Sequence, residues 1–207
     1  YVGELSDVQK EKVRRMNAKA DGLMTLVGEY LNLAWIESEQ MEIHAREGVD
    51  LEKDLLDPVC EELSPLREEK GMNLSVQVDG APIVFRGDTD LLQIVIRNLL
   101  GNAIKYGRPG GKIELGADRT SKGLHMQVRN EGRLARLPPE AQSRLFRRFS
   151  RIKSPELMKQ KGTGVGLYVS WRIVQAHGGH MRAESQPGQW ALFEVYLPQE
   201  WDKSDRG

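Results

Sequence analysis

The sequence predicts an α+β fold in which a long bundle-forming helix precedes a two-layer α/β sandwich. The sandwich is expected to hold a mixed sheet of about five to six strands with helices on one face. Three observations predict this: an uninterrupted helical pattern near the start, alternating or apolar runs beyond it, and helical patterns interleaved with those runs. Short links between the runs favour a mixed sheet over a doubly wound parallel one.

The first helix is predicted from about Leu5 to Met41, a stretch without proline. Apolar or small residues recur there at an unbroken spacing of three and four: Val13, Met16, Ala20, Leu23, Val27, Tyr30 and Ala34. This period is typical of coiled coils and four-helix bundles, and one helix cannot bury such a seam alone. We therefore expect a partner helix, from sequence outside this chain or from a homodimer; a surface helix packed on its own domain is the alternative.

The pattern changes near residue 46, which predicts an N-terminal unit at 1–46, a second domain at 47–200 and a tail at 201–207. Further helices are predicted at about 51–69, 89–106, 138–149 and 165–177. Asp50 can cap the first of these, Asp88 or Thr89 the second, and Gly178-Gly179 ends the last. Strands are predicted at Leu74 to Val78, Ile83 to Arg86, Lys112 to Gly116, Leu124 to Val128, His180 to Glu184 and Ala191 to Leu197.

Composition argues against several classes of function. The 30 Lys and Arg balance the 30 Asp and Glu, which disfavours binding to nucleic acid or to a membrane surface. No stretch approaches the roughly 20 apolar residues of a membrane span, so we expect no membrane contact by this chain. Cys60, the single cysteine, gives neither a disulfide nor a cysteine-based zinc site and fits a cytoplasmic location. Without an initiator Met, the chain is expected to be a fragment, and membrane anchoring of the full-length protein stays open.

A first signature lies on the helix predicted at 89–106. Asn98, Asn102 and Lys105 are four and three residues apart, so their side chains share one helix face beside an apolar stripe. Amide oxygens suit Mg²⁺, which bridges to substrate phosphates, and a neighbouring Lys can neutralise phosphate charge.

A second signature, Gly162-Thr-Gly164-Val-Gly166, follows about sixty residues later and precedes the last predicted helix. Alternating glycines let backbone N–H groups approach phosphates closely, and the N-terminus of the following helix favours anions. Together the two signatures predict a nucleotide pocket.

With these signatures in this order, the chain resembles the catalytic ATP-binding core of bacterial two-component sensor histidine kinases, within the Bergerat-fold (GHKL) ATPases. Asn98 to Tyr106 is similar to the N box, Asn130-Glu-Gly132 to the G1 box, Leu145 to Arg151 to the F box and Gly162 to Gly166 to the G2 box. Residues 1–46 then resemble the second helix of the dimerisation domain, 47–200 the ATP-binding domain. The resemblance implies ATP and Mg²⁺ as cofactors and a response regulator receiver domain as partner.

The resemblance also implies roles for individual residues. Asn102 would coordinate Mg²⁺ with support from Asn98, Lys105 and Arg151 would contact phosphate, and Tyr106 would lie against the adenine. The complete set of nucleotide-binding residues implied is Asn98, Asn102, Lys105, Tyr106, Asn130, Gly132, Arg151, Gly162, Thr163, Gly164, Val165, Gly166 and Leu167. The segment from Phe149 to Lys161 would form a lid over the phosphates.

Two departures from the family pattern stand out. The G1 box has Asn130 where the family has Asp; its amide oxygen can still accept a hydrogen bond from the adenine amino group, without the charge. None of the four histidines has the acidic and Thr-Pro setting of a phosphoacceptor, so the acceptor histidine is expected upstream of Tyr1. His177 is expected instead to interact with the dipole at a helix C-terminus.

Three functions are consistent with the sequence. The leading prediction is the core of a kinase that transfers the γ-phosphoryl of ATP to a histidine. A pseudokinase or regulatory module without phosphotransfer is the alternative that the altered G1 box favours. An ATPase clamp is disfavoured because no carboxylate stands within the first signature to activate water.

Overall fold

The computed structural model describes residues 5–38, 42–80, 82–132, 144–150 and 162–199. In chain order its elements are α1 (Asp7–Glu37), β1 (Arg46–Asp50), a π-helical segment (Leu51–Leu56), α2 (Asp57–Glu62), α3 (Ser64–Glu69), β2 (Asn73–Asp79), β3 (Val84–Gly87), α4 (Thr89–Tyr106), β4 (Lys112–Thr120), β5 (Gly123–Glu131), α5 (Gly166–Ala176), β6 (His180–Gln186) and β7 (Trp190–Pro198). The predicted tail and most of the helix predicted at 138–149 lie outside the described residues.

The main sheet has five strands in the order β2-β4-β5-β7-β6. Strands β2 and β4 are parallel, and the other neighbours are antiparallel, so the predicted mixed sheet is confirmed. The strand predicted at Ile83 to Arg86 does not join this sheet. As β3 it pairs instead with β1, antiparallel and with an irregularity between Arg46 and Val49.

One face of the sheet is covered by α4 and α5, as predicted. Alternate strand residues are buried beneath the two helices, including Ile113, Leu115, Val128, Phe193 and Val195. The intervening residues of β4, β5 and β7 are largely half-buried or exposed, which is the pattern of a sheet with one covered face. Helices α4 and α5 therefore lie side by side on the sheet, with the two signatures on facing elements.

The prediction of one continuous helix at 51–69 is wrong, although the segment is helical. Asp50 caps it as expected, since its Oδ1 accepts hydrogen bonds from the backbone N–H groups of Glu52 and Lys53. The segment then divides into a π-helical turn and two short α-helices, each with a proline in its first turn: Pro58 in α2 and Pro65 in α3. Proline lacks the N–H needed within a helix but is tolerated in a first turn, so each proline marks a new start.

Helix α1 begins with a capping box in which Ser6 and Gln9 exchange hydrogen bonds between side chain and backbone. Near its end, Leu33 and Ile36 are buried against the core. The predicted seam lies on a different part of the surface: Val13, Met16, Leu23, Val27 and Tyr30 are 42% to 68% exposed. Within the described residues the core does not cover this seam, and no described helix is long and apolar enough to cross a bilayer.

Candidate functional site

Helix α4 begins at a buried acidic cap. The Asp88 Oδ1 accepts a hydrogen bond from the backbone N–H of Leu91 at 3.2 Å, and its Oδ2 accepts one from that of His44 at 2.8 Å. A buried stripe then holds the helix on the sheet: Leu91, Leu92, Val95, Ile96, Leu99, Leu100, Ala103 and Ile104. The remaining side carries Asn98, Asn102, Lys105 and Tyr106, all half-buried along one cleft. The first signature is therefore presented on one helix face, as its spacing predicts.

Asn98 joins the two signatures directly. Its Nδ2 donates hydrogen bonds to the Gly166 carbonyl and to the Ser170 Oγ, each at 3.1 Å, in the first turns of α5. A Cβ on Gly166 would lie 3.2 Å from the Asn98 Oδ1, so a larger residue would crowd this junction. Asn102, one turn later, has no hydrogen bond from its amide to any described residue. Its oxygen is therefore available to a ligand.

The glycine loop approaches its neighbours closely. Gly164 has φ 74°, in the left-handed region, and a Cβ there would lie 2.6 Å from the Ser150 carbonyl oxygen. A Cβ on Gly162 would lie 2.9 Å from the Lys105 Nζ. The loop runs into the N-terminus of α5, where the Val165 backbone N–H donates to the Thr163 Oγ1 at 3.3 Å. Backbone and ammonium groups suited to anions therefore meet at this point.

The segment Asn130-Glu-Gly132 closes the other end of the cleft. Asn130 is 2% exposed, and its Nδ2 donates to the Glu131 carbonyl at 3.3 Å. Gly132 forms a β-bridge with Gly107, and a Cβ on Gly132 would lie 2.8 Å from the Tyr106 carbonyl oxygen. The end of β5 is thus held against the end of α4, beside the Tyr106 ring.

These elements enclose a cleft of about 870 Å³, including space open to solvent. It is lined by Glu29, Asn98, Asn102, Lys105, Tyr106, Asn130, Leu145, Ser150, Gly162, Thr163, Gly164, Gly166, Leu167 and Phe193. Its lining combines an apolar base with several convergent polar groups, which is the composition of an ordinary small-molecule site. Of the sequence-predicted residues, Gly132 and Val165 support the cleft without lining it, and Arg151 lies outside the described residues.

Four lining residues were not predicted individually, although Leu145 lies in the predicted F box and Ser150 in the predicted lid. Leu145 and Phe193 add apolar surface, and Ser150 adds a backbone carbonyl next to Gly164. Glu29 comes from α1, and its Oε2 accepts a hydrogen bond from the Thr163 hydroxyl. No local pattern could have indicated Glu29, because it is 134 residues from Thr163 in the sequence.

Lys70 supports the C-terminal end of α4. Its Nζ donates to the carbonyl oxygens of Ile104 at 2.7 Å and Lys105 at 2.9 Å, which lack partners within the helix. A cation here also opposes the negative end of the helix dipole. Loss of water around the ammonium lowers the pKa of Lys70. Lys70 therefore fixes the turn from which Lys105 and Tyr106 enter the cleft.

His177 supports the opposite end of the same helix. It is buried, and its Nδ1 donates to the Ile173 carbonyl at 2.8 Å while its Nε2 accepts from the Asp88 backbone N–H at 3.2 Å. Burial lowers the pKa of His177, although the Ile173 carbonyl and the Asp88 charge act in the opposite direction. His177 thus links the end of α5 to the start of α4 as a neutral ring. The expected interaction at the C-terminal end of α5 is present, as a hydrogen bond from this neutral ring to the Ile173 carbonyl.

Comparisons with known proteins agree with this geometry. Residues 87–200 match the family of histidine kinase-, DNA gyrase B- and HSP90-like ATPases. The chain is 34% identical over 174 residues to the adaptive-response sensory kinase SasA of Synechococcus elongatus, covering 84% of this chain and 43% of that protein. It is 28% identical over 203 residues to the circadian input-output histidine kinase CikA of the same species, covering 96% of this chain and 26% of that protein.

Among solved structures, the full-length ShkA in complex with AMPPNP is similar, with a TM-score of 0.78 and 27% identity. The match covers 97% of this chain and 41% of ShkA. The chain thus spans between a quarter and a half of the length of these relatives. From the family match and the relatives together, the chain belongs to the histidine kinase-, DNA gyrase B- and HSP90-like ATPases and is an ATPase core of the sensor histidine kinase type.

Proposed function

We propose that this chain is the catalytic part of a sensor histidine kinase that transfers the γ-phosphoryl group of ATP to a histidine on a dimerisation helix. The phosphoryl group would then pass to a response regulator receiver domain. The observation that carries the proposal is the meeting, in one cleft, of the Asn98 and Asn102 helix face with the Gly162 to Gly166 loop.

The bound nucleotide would occupy two parts of the cleft, one for the adenine and one for the phosphates. At the β5 end, the buried Asn130 would accept a hydrogen bond from the adenine amino group, and the Tyr106 ring would lie against the base. At the α5 end, the backbone of the glycine loop and the Lys105 ammonium would surround the phosphates. Arg151 is proposed as a second phosphate contact from its position in the sequence.

The donor set also fits Mg²⁺. The Asn102 amide makes no hydrogen bond to a described residue and faces the cleft. The Asn98 amide nitrogen donates its hydrogen bonds to α5, which leaves the amide oxygen as an acceptor. Amide oxygens suit a hard cation that keeps several waters. Asn102 would hold the ion with support from Asn98, and the bound ion would neutralise phosphate charge during transfer.

Catalysis by these residues would consist of positioning and charge neutralisation. The histidine nitrogen would bond to the γ-phosphorus as the bond to the ADP oxygen breaks, so that ADP leaves and a phosphohistidine remains on the dimerisation helix. The cleft would hold the phosphates in line with the acceptor while Lys105 opposes their charge.

Residues 1–46 would serve as the dimerisation helix of this kinase. Their exposed seam, from Val13 to Tyr30, supports a homodimer in which a second copy and the acceptor helix cover it. Because ATP and receiver domains are encountered in the cytoplasm, we assign this part of the protein to that compartment.

The test uses the full-length protein with Mg²⁺ and γ-labelled ATP. We expect acid-labile label on the wild-type protein and a loss of roughly 100-fold or more in its rate of formation in Asn102→Ala. Asn73→Ala, which changes an exposed amide on β2, is the matched control and is expected to label normally. Label forming at the wild-type rate in Asn102→Ala would refute the metal role. ATP binding without any label in the wild type would indicate the pseudokinase alternative.

A further inference from the structure

The carboxylate of Glu29 lies beside the glycine loop that the proposed function assigns to the phosphates. Glu29 is half-buried on α1, lines the cleft, and accepts a hydrogen bond from the hydroxyl of Thr163 in the glycine loop. The same hydroxyl accepts from the Val165 backbone N–H at 3.3 Å, next to the N-terminus of α5. Glu29 is the carboxylate among the described residues that line this cleft, opposite the Lys105 ammonium.

Contacts later in α1 hold Glu29 at this position. The Glu37 Oε1 pairs with the Arg148 guanidinium at 2.6 Å and accepts from the Tyr168 hydroxyl at 3.4 Å. The Tyr30 ring lies 6.4 Å from that of Phe149, measured between centroids. With Leu33 and Ile36 buried beside these contacts, the last turns of α1, from Glu29 to Glu37, are docked on the core. Glu29 is therefore carried into the cleft by a docked helix and does not reach it as a free side chain.

A carboxylate and a phosphate compete for the same surroundings. Backbone N–H groups at a helix N-terminus favour either anion, and two anions brought together there repel each other. Resting on the proposed function, we propose that Glu29 occupies the phosphate subsite and that the phosphates of ATP must displace it. Glu29 then lowers the affinity for ATP, and bound ATP weakens the docking of α1 by the same factor, since coupling between two sites is reciprocal.

The affinity test compares the wild-type chain with Glu29→Gln, which keeps the size and the hydrogen bond but removes the charge. Glu11→Gln changes an exposed glutamate on the same helix and is the matched control. Dissociation constants are measured for ATP, ADP and adenosine. We expect Glu29→Gln to bind ATP roughly fivefold or more tightly than wild type, with a smaller gain for ADP and none for adenosine. Glu11→Gln is expected to match wild type throughout.

Two results would overturn this inference while the proposed function stands. One is an unchanged dissociation constant for ATP in Glu29→Gln; the other is an equal gain for adenosine, which has no phosphate. Failure of the wild-type chain and its variants to bind any nucleotide would instead overturn the proposed function, and this inference with it.

The reciprocal effect is measured by amide hydrogen exchange. Adding saturating ATP to the wild-type chain is expected to raise the exchange rates of the last turns of α1, which include Glu29 and Glu37. In Glu29→Gln, the same amides are expected to exchange faster before ATP is added and to change less afterwards. Unaltered exchange in these turns on adding ATP to wild type would overturn the coupling.

Discussion

Replacing the buried His177 by leucine is expected to lower the free energy of unfolding by about 2 kcal/mol at neutral pH. Leucine has a similar volume, so the loss comes from hydrogen bonding and not from a cavity. The Asp88 backbone N–H would lose its acceptor at 3.2 Å, and the Ile173 carbonyl would lose a donor at 2.8 Å. Leaving the buried Asp88 N–H without a partner costs about 1–3 kcal/mol. Loss of the donor to the Ile173 carbonyl costs less, and the added apolar surface of leucine partly offsets it.

The same residue makes stability depend on pH with a definite sign. Burial lowers the pKa of His177 below its ordinary value of 6.5, so the unfolded chain binds the proton more readily than the folded one. The stabilising contribution of the neutral ring is complete above pH 6.5 and decreases as the pH falls below it, by at most about 1.4 kcal/mol per pH unit. Leucine removes this dependence, so the difference between wild type and His177→Leu should shrink at acid pH.

Urea unfolding followed by circular dichroism, at pH 7.5 and at about pH 5.5, measures both effects. His180→Gln is the control, because His180 is exposed at the start of β6. The reasoning would be refuted if His177→Leu lost less than about 0.5 kcal/mol at pH 7.5, or if its deficit were the same at both pH values.

Three further predictions concern the cleft and its supports. Lys70→Met should lower the free energy of unfolding by about 1–2 kcal/mol in thermal or urea unfolding, because two carbonyls at the end of α4 lose a charged donor. Lys70→Arg should restore part of this stability. Unchanged stability in Lys70→Met would contradict the capping role. Gly164→Ala should abolish nucleotide binding in a fluorescent-analogue titration, since φ 74° and the Ser150 carbonyl at 2.6 Å exclude a Cβ, and wild-type affinity would argue against this loop geometry. Asn130→Leu should weaken ATP binding roughly tenfold or more while Asn130→Asp retains it, because only the second keeps an acceptor for the adenine, and equal affinities in the two variants would exclude that hydrogen bond.

Much of the fold follows from local pattern. The bounds of α4 agree with prediction because Asp88 caps it and its apolar stripe is continuous. The strands of the main sheet were predicted in the right places, but the predicted ranges are too short. Hydrogen-bonded pairing with neighbouring strands extends each one beyond its apolar run. Strand β1 was missed because Arg46-Glu-Gly-Val-Asp50 has little β propensity. Its extended conformation is stabilised by antiparallel pairing with β3, which the local sequence does not indicate.

The site was less accessible to prediction than the fold. Asn98, Asn102 and the glycines belong to compact signatures whose chemistry is visible in their spacing. Lys70 and Glu29 act across 35 and 134 residues, so only folding brings them to the cleft. Neither has a neighbouring residue that distinguishes it from other charges on a helix surface.

The exposed seam of α1 would link the stability of this helix to protein concentration if a second copy of the chain covers it. The side chains of Val13, Met16, Leu23 and Val27 remain largely exposed to water in a single chain, and burying them requires another helix. If a second copy is that helix, mass action ties the stability of α1 to the amount of protein present. Dilution would then separate the chains while leaving the sandwich folded.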